Sequence, residues 1–256
     1  MPLVNAEGLI LRTLPLSESD LIAVLFTREH GKIRVVAKGA RRLKSRFGGS
    51  LGPMNRVRVS YYEKENRELL YLNSCELLES AFALQSDYEL QTVCAYFTEV
   101  VDVFFLEREA NAPLFRLVAV ILKSAALNPG VMRLLAYFNF WVLRLSGLLP
   151  GLAVCAVCGK GLLPTGGCAT GASFAVWCPG CRPQEGLLLG PGAIRLAAAC
   201  ANKSIENLDS EGPFQEGDFS QLNAVLEKWV AKGADRKLQS LEALRALRRT
   251  SELTAS

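Results

Sequence analysis

Two pairs of thiols carry the clearest chemistry in this chain of 256 residues. Cys155-Ala156-Val157-Cys158 is followed by 19 intervening residues and then by Cys178-Pro179-Gly180-Cys181. A two-residue gap lets both sulfurs of a pair face one ion, and two such pairs at this separation supply four tetrahedral ligands. The spacing therefore predicts one structural Zn2+ per chain, held by Cys155, Cys158, Cys178 and Cys181. Because cysteine fills every position, no coordination place is left for a reacting water, and the metal would brace the fold rather than catalyse. A redox Cys-x-x-Cys pair would need a βαβ setting that the pattern lacks. A nucleobase deaminase would show His-x-Glu and a proline before its cysteine pair. Here His30 is followed by Gly31-Lys32, and no proline precedes either pair. Cys168 lies between the pairs and is left out of the ligand set.

The second feature is charge. Between positions 28 and 46 the chain places Arg28, Lys32, Arg34, Lys38, Arg41, Arg42, Lys44 and Arg46 against a single acid, Glu29. Residues 1–80 hold 13 basic and 9 acidic residues, while residues 81–256 are balanced at 16 and 16. The formal excess of +4 thus resides in the first third. A local positive field of this kind suits a polyanion, nucleic acid above all. Lys32, Arg34, Val36 and Lys38 share one parity and Ile33, Val35 and Ala37 the other, which predicts a strand with a cationic outer face. From Gly39 the cations are interleaved with Leu43 and Phe47 in a loop closed by Gly48-Gly49. Such a loop can track phosphates, with Phe47 expected to offer a stacking surface.

The totals narrow the classes. Half the residues are apolar and 21% are charged, the profile of a globular protein with ample core material. No cationic start followed by an apolar run opens the chain, so no secretory signal is expected, and the eight cysteines are assigned to a reducing compartment. Arg116, Lys123, Arg133 and Arg144 interrupt the apolar stretch 112–158 too often for a membrane span. A single histidine leaves little room for Ser-His-Asp or Cys-His chemistry, and no phosphate-binding loop or nucleophile elbow is present. The chain reads as non-enzymatic.

The elements that position these groups follow from periodicity. Strands are predicted at 3–13, 21–27, about 32–38, 57–62 and 69–76, with Glu63–Arg67 as a charged turn. Five short strands in 80 residues suit a small closed barrel of the oligonucleotide-binding (OB) type. Helices are predicted at 87–107, 113–127 and 131–147, with Asn128-Pro129-Gly130 as a break. A short helix reaches Cys200, residues 202–217 read as loop, a helix capped by Ser220 or Asp218 reaches Ala231, and a last one spans 236–249. Cys75 and Cys94 are expected as small buried hydrophobes. Lys237, Arg245, Arg248 and Arg249 make a weaker basic face. The fold class is α+β. An N-terminal five-stranded OB-type β-barrel (1–80) precedes an all-helical domain (81–256) with an inserted four-cysteine zinc module at about 150–187.

The chain resembles the bacterial DNA repair and recombination mediators of the RecO family. The likeness rests on Glu7-Gly8-Leu9-Ile10-Leu11-Arg12-Thr13, Ser17-Glu18-Ser19-Asp20-Leu21 and His30-Gly31-Lys32 with Ala37-Lys38-Gly39-Ala40-Arg41-Arg42. The paired cysteines and Lys237-Leu238-Gln239-Ser240-Leu241 add to it. It implies a cytoplasmic, nucleoid-associated protein that binds single- and double-stranded DNA and anneals complementary strands. With RecR, such a protein helps load RecA onto DNA coated by single-strand-binding protein (SSB), whose acidic C-terminal tail meets the helical domain. The competing expectation is a zinc-stapled adaptor that binds only proteins.

Overall fold

The structure is a computed structural model describing residues 2–63, 69–127, 130–211 and 213–254. The expected turn through Lys64–Arg67 and the expected break at Asn128-Pro129 lie outside the described residues. Two compact units are present, one formed by residues 1–122 with 243–256 and the other by residues 123–242.

In the first unit, β1 (Leu3–Pro15), β2 (Leu21–Thr27), β3 (Gly31–Ala37), β4 (Arg56–Tyr62) and β5 (Leu69–Glu79) close into a barrel in the order β1-β2-β3-β5-β4. β4 returns to β1 through pairs running from Leu3/Tyr62 to Leu9/Arg56. β3 and β5 run parallel, joined at Arg34/Leu69, Val35/Leu70 and Val36/Tyr71. This is the five-stranded OB-type barrel that the sequence predicts. Alternation sends Ile10, Leu25, Val35, Val59, Tyr61 and Leu70 into its interior.

Leu9, Leu11, Val24 and Phe26 occupy the opposite parity, yet they are also buried. The reason is a second layer, in which α2 (Tyr88–Phe104), reached through the short α1 (Phe82–Gln85), packs on β1 and the start of α3 (Ala112–Leu127) meets β2. Phe26 meets Phe115 with ring centroids 6.3 Å apart. The unbroken apolar run of β2 is the sequence mark of a strand covered on both faces. α2 begins where Asp87 Oδ1 accepts the backbone N–H groups of Glu89 and Leu90 at 2.8 and 3.0 Å. Gly31 adopts φ +63°, and a Cβ there would lie 2.0 Å from the Glu109 carbonyl oxygen, so only glycine fits this turn.

In the second unit α4 (Val131–Leu145) packs on α6 (Glu216–Gly233), and α5 (Pro191–Asn202) packs on both. Asn223 Nδ2 donates to the Met132 carbonyl at 2.8 Å across the α4–α6 contact. Three strands too short for any periodicity, β6 (Gly167–Ala169), β7 (Val176–Trp177) and β8 (Leu187–Leu189), form a small sheet in the order β7-β6-β8. Buried Trp229 of α6 donates Nε1 to the carbonyls of Thr170 and Ser173, both at 2.9 Å, and so ties that region to the helices.

Two expectations need correction here. Residues 205–211 form a short 3-10 segment rather than continuous loop. α6 begins at Glu216, where the Gln215 N–H donates to Asp218 Oδ2 at 3.0 Å, so Asp218 acts from the third helical position. α7 (Gln239–Thr254) closes the chain. Among the described residues no helix is long and apolar enough to cross a membrane.

Candidate nucleic-acid interface and metal centre

The expected cationic face of β3 is largely occupied. Lys32 is 6% exposed. Its Nζ donates to the Asp102 carbonyl at 2.7 Å and to Asp102 Oδ1 at 2.9 Å. Arg12 closes on the other oxygen of the same carboxylate at 3.0 Å. Burial pushes the Asp102 carboxyl up, but the two cations outweigh it and hold the group below its ordinary value. Next along β3, Arg34 pairs with Glu107 at 2.5 Å. Lys32 and Arg34 therefore seat the helical layer on the barrel, and Lys32 is not an exposed phosphate contact. The mark in the sequence was an acid, Asp102, set inside the apolar run Val100-Val101-Asp102-Val103.

The loop after β3 is different. Lys38, Arg41, Arg42, Lys44 and Arg46 are exposed, as is Arg28 at the β2–β3 turn. The start of the loop is tied to the β1–β2 turn. Asp20 Oδ1 accepts the Gly39 N–H at 2.8 Å and the Ser19 hydroxyl at 3.0 Å. The Arg41 N–H reaches the Ser19 carbonyl at 3.0 Å, and its Nη1 reaches the Ser17 carbonyl at 2.8 Å. The Gly39 N–H is the main reason the Asp20 carboxyl sits below its usual range, helped by Ser19, Ser17 and the Lys38 charge.

Farther on, Lys38 Nζ lies 5.1 Å from the centroid of the Tyr71 ring. Arg46 stacks 4.9 Å from the centroid of Phe47 and donates to the Leu72 carbonyl at 3.4 Å. Phe47 itself is 3% exposed and belongs to the barrel core, so the stacking surface expected of it is absent. Leu43 instead is fully exposed at the loop tip. His30 sits at the expected turn, edge-on to Tyr61 with centroids 6.3 Å apart.

The cysteines converge. The sulfurs of Cys155, Cys158, Cys178 and Cys181 all lie within 4.8 Å of one another, and Cys158 and Cys178 are 3.7 Å apart. A tetrahedral site with metal–sulfur bonds of about 2.3 Å requires sulfurs about 3.8 Å apart, so the spacing fits a bound ion. Each pair is a tight turn. The Gly159 N–H returns to the Cys155 carbonyl at 3.0 Å, and the Cys181 N–H returns to the Cys178 carbonyl at 3.0 Å.

Backbone N–H groups of Cys158 and Cys178 aimed at the Cys155 sulfur bring its thiol down to about 6. Cys181 is pushed up to about 12, because its proton is shared with the Cys178 and Cys158 sulfurs and a further negative charge there would face theirs. Four thiolates this close need a cation among them, and the cluster can hold a metal ion. Cys168 is buried in β6 outside the cluster. Cys75 and Cys94 are half-buried rather than buried. Lys237 of the expected C-terminal basic face pairs with Glu242 at 3.6 Å.

Comparison with known proteins agrees with this construction. The family model "Recombination protein O N terminal" matches residues 1–81, and "Recombination protein O C terminal" matches residues 85–242. A DNA repair protein RecO of Bifidobacterium adolescentis is 30% identical over 95% of this chain and all of its own length. That of Symbiobacterium thermophilum is 29% identical over 97% of this chain and 99% of its own. That of Koribacter versatilis is 42% identical over 62% of this chain, a match spanning 65% of that protein. With an OB-type barrel, a helical region carrying the four-cysteine cluster and both halves matched, the chain belongs to the recombination protein O family of DNA repair proteins.

Proposed function

We propose that this chain is a DNA-binding recombination mediator, with residues 1–80 as the DNA-binding domain and no catalytic role of its own. One observation carries the reading. Lys38, Arg41, Arg42, Lys44 and Arg46 are exposed on one loop, and among the described residues none of them forms a salt bridge, although the Lys38 charge is felt at Asp20. Elsewhere on the barrel, Arg34, Arg56 and Arg58 are each neutralised by a glutamate. Cations that form no salt bridge along an exposed loop suit phosphates, and contacts of that kind carry no sequence information. They serve single- and double-stranded DNA alike. Neutralised phosphates also let complementary strands approach, which is the physics of annealing. Arg28, at the other end of β3, adds a further exposed cation to the barrel, and Lys32 and Arg34 hold the neighbouring layer through Asp102 and Glu107.

The same reading gives the cysteine cluster a structural Zn2+. It places the protein with RecR in loading RecA onto SSB-coated DNA. For the acidic SSB tail this reading proposes a dock in the helical unit. A groove of about 590 Å3 there is lined by Leu163, Arg195, Asn202, Lys203, Pro213 and Phe214, apolar walls with two cationic residues.

The deciding experiment is a salt titration of DNA affinity with the wild type and with Arg41→Glu/Arg42→Glu/Lys44→Glu. For about five phosphates engaged, log affinity falls against log salt with a slope near −4 to −5. The triple variant flattens that slope and loses annealing while it stays folded. Unchanged affinity in the variant ends this reading. A wild type that shifts no oligonucleotide at moderate salt leaves the protein-only adaptor.

A further inference from the structure

Beside the cationic loop, the outer face of the barrel carries a row of apolar and aromatic side chains in strict register. Val36 of β3 pairs with Tyr71 of β5, Tyr71 with Tyr62 of β4, and Tyr62 with Leu3 of β1. Their parity points outward, since the neighbouring Tyr61, Leu70 and Leu72 fill the barrel interior. Leu3 is 50% exposed and Tyr62 39%, and Tyr71 is half-buried. Cβ atoms at directly paired positions stand about 5 Å apart, so the two tyrosines project side by side from this face. Lys38 caps it, with Nζ 5.1 Å from the Tyr71 centroid, and Arg46 bonds to the next carbonyl of β5, that of Leu72. Two loop cations thus converge on the strand that carries Tyr71. Lys38 sets a positive charge at the Tyr71 end of the row.

We infer that the Tyr62–Tyr71 pair is a base-stacking platform, on which unpaired bases of a single strand rest while Lys38 and Arg46 take the adjoining phosphates. The inference rests on the DNA-binding reading above and goes beyond it. Phosphate contacts treat single strands and duplexes alike, whereas exposed rings engage only bases that are free to leave the helix. The platform is therefore the element that gives the barrel a preference for single strands. The charge placed at one end of the row favours this occupant over an uncharged apolar partner.

The test compares the wild type with Tyr62→Ala, Tyr71→Ala and the matching Phe variants. A labelled oligothymidylate and a duplex of equal length serve as probes, each followed by fluorescence anisotropy over a range of salt. Removing either ring is expected to weaken single-strand binding by about 5- to 100-fold. The salt slope and the duplex affinity stay as they were, and the Phe variants restore binding. Equal losses on both probes, or no loss on the single strand, overturn the platform while leaving the DNA-binding reading standing. A wild type that binds neither probe overturns both. Should the Ala variants not fold, photo-crosslinking of an iodouracil oligonucleotide to the wild type decides. Adducts on Tyr62 or Tyr71 support the platform, and adducts confined to other residues refute it.

Discussion

Lys32 of β3 donates to both the carbonyl and the carboxylate of Asp102 on α2, at 2.7 and 2.9 Å. The contact joins positions 70 residues apart in sequence and turns the most obvious basic strand of the chain into an internal joint. Removing Lys32 takes away its two bonds and leaves the Asp102 carboxylate to Arg12 at 3.0 Å. Lys32→Met should cost about 2 kcal/mol, and combining it with Asp102→Asn should cost less than the sum of the two single losses. Denaturant unfolding of the two single variants and the double variant measures the coupling.

The same pair sets an acid limit. The Asp102 carboxyl is held below its ordinary value, so its contribution is complete above the unfolded value of about 3.9 and is lost as pH falls through the lower folded one. Wild-type stability should fall in that acid window, and Lys32→Met should fall less steeply. Thermal melts between pH 2 and 5 test the difference.

Asp20 governs the loop in a similar way at the surface. Its carboxylate accepts the Gly39 N–H at 2.8 Å, and that bond is the main cause of its lowered pKa. The tether is complete above the unfolded carboxylate value and loosens as pH falls through the depressed folded value. Asp20→Ala should speed amide exchange at Gly39 and its neighbours while the barrel strands stay protected. A less ordered loop should bind DNA about two- to tenfold more weakly. Hydrogen exchange followed by mass spectrometry reads the first effect, and anisotropy reads the second.

Phe47 distinguishes core from contact. With 3% of its surface exposed, Phe47→Ala should lower stability by about 3 kcal/mol. Phe47→Leu should cost less than about 1.5 kcal/mol and leave single-strand affinity within twofold. A Leu variant of normal stability that has lost DNA affinity would restore Phe47 to the binding surface.

Replacing Cys155 and Cys178 with Ser removes one ligand from each pair. Bound zinc and melting temperature should fall together, because a site of this kind contributes its binding energy to folding. Stoichiometric zinc retained in the double variant would disprove the ligand set.

The strands were legible because their alternation is clean. The expected bounds of β2 and its observed span, Leu21–Thr27, coincide. The cysteine cluster was legible from spacing alone, since two-residue gaps constrain sulfur positions locally. What covered β3 was not legible, because Asp102 and Glu107 lie far along the chain and alternation says nothing about a distant partner. Phe47 misled for a related reason. Its neighbours Arg46, Gly48 and Gly49 are those of a solvated loop, and only the closed barrel supplies the pocket it fills. The strands β6, β7 and β8, at two or three residues each, are shorter than any period that would reveal them.

The placement of β5 between β3 and β4 has a consequence for biosynthesis. Until Glu79 has left the ribosome, β3 and β4 both present open edges, and the sheet cannot close on itself. Local hairpins such as β2–β3 can form early, but the parallel join waits for a strand that starts at Leu69, well after β3 ends at Ala37. A chain stalled or cleaved short of that strand exposes two templates for pairing with other chains. Truncated products of this protein should accumulate as aggregates rather than as soluble barrels.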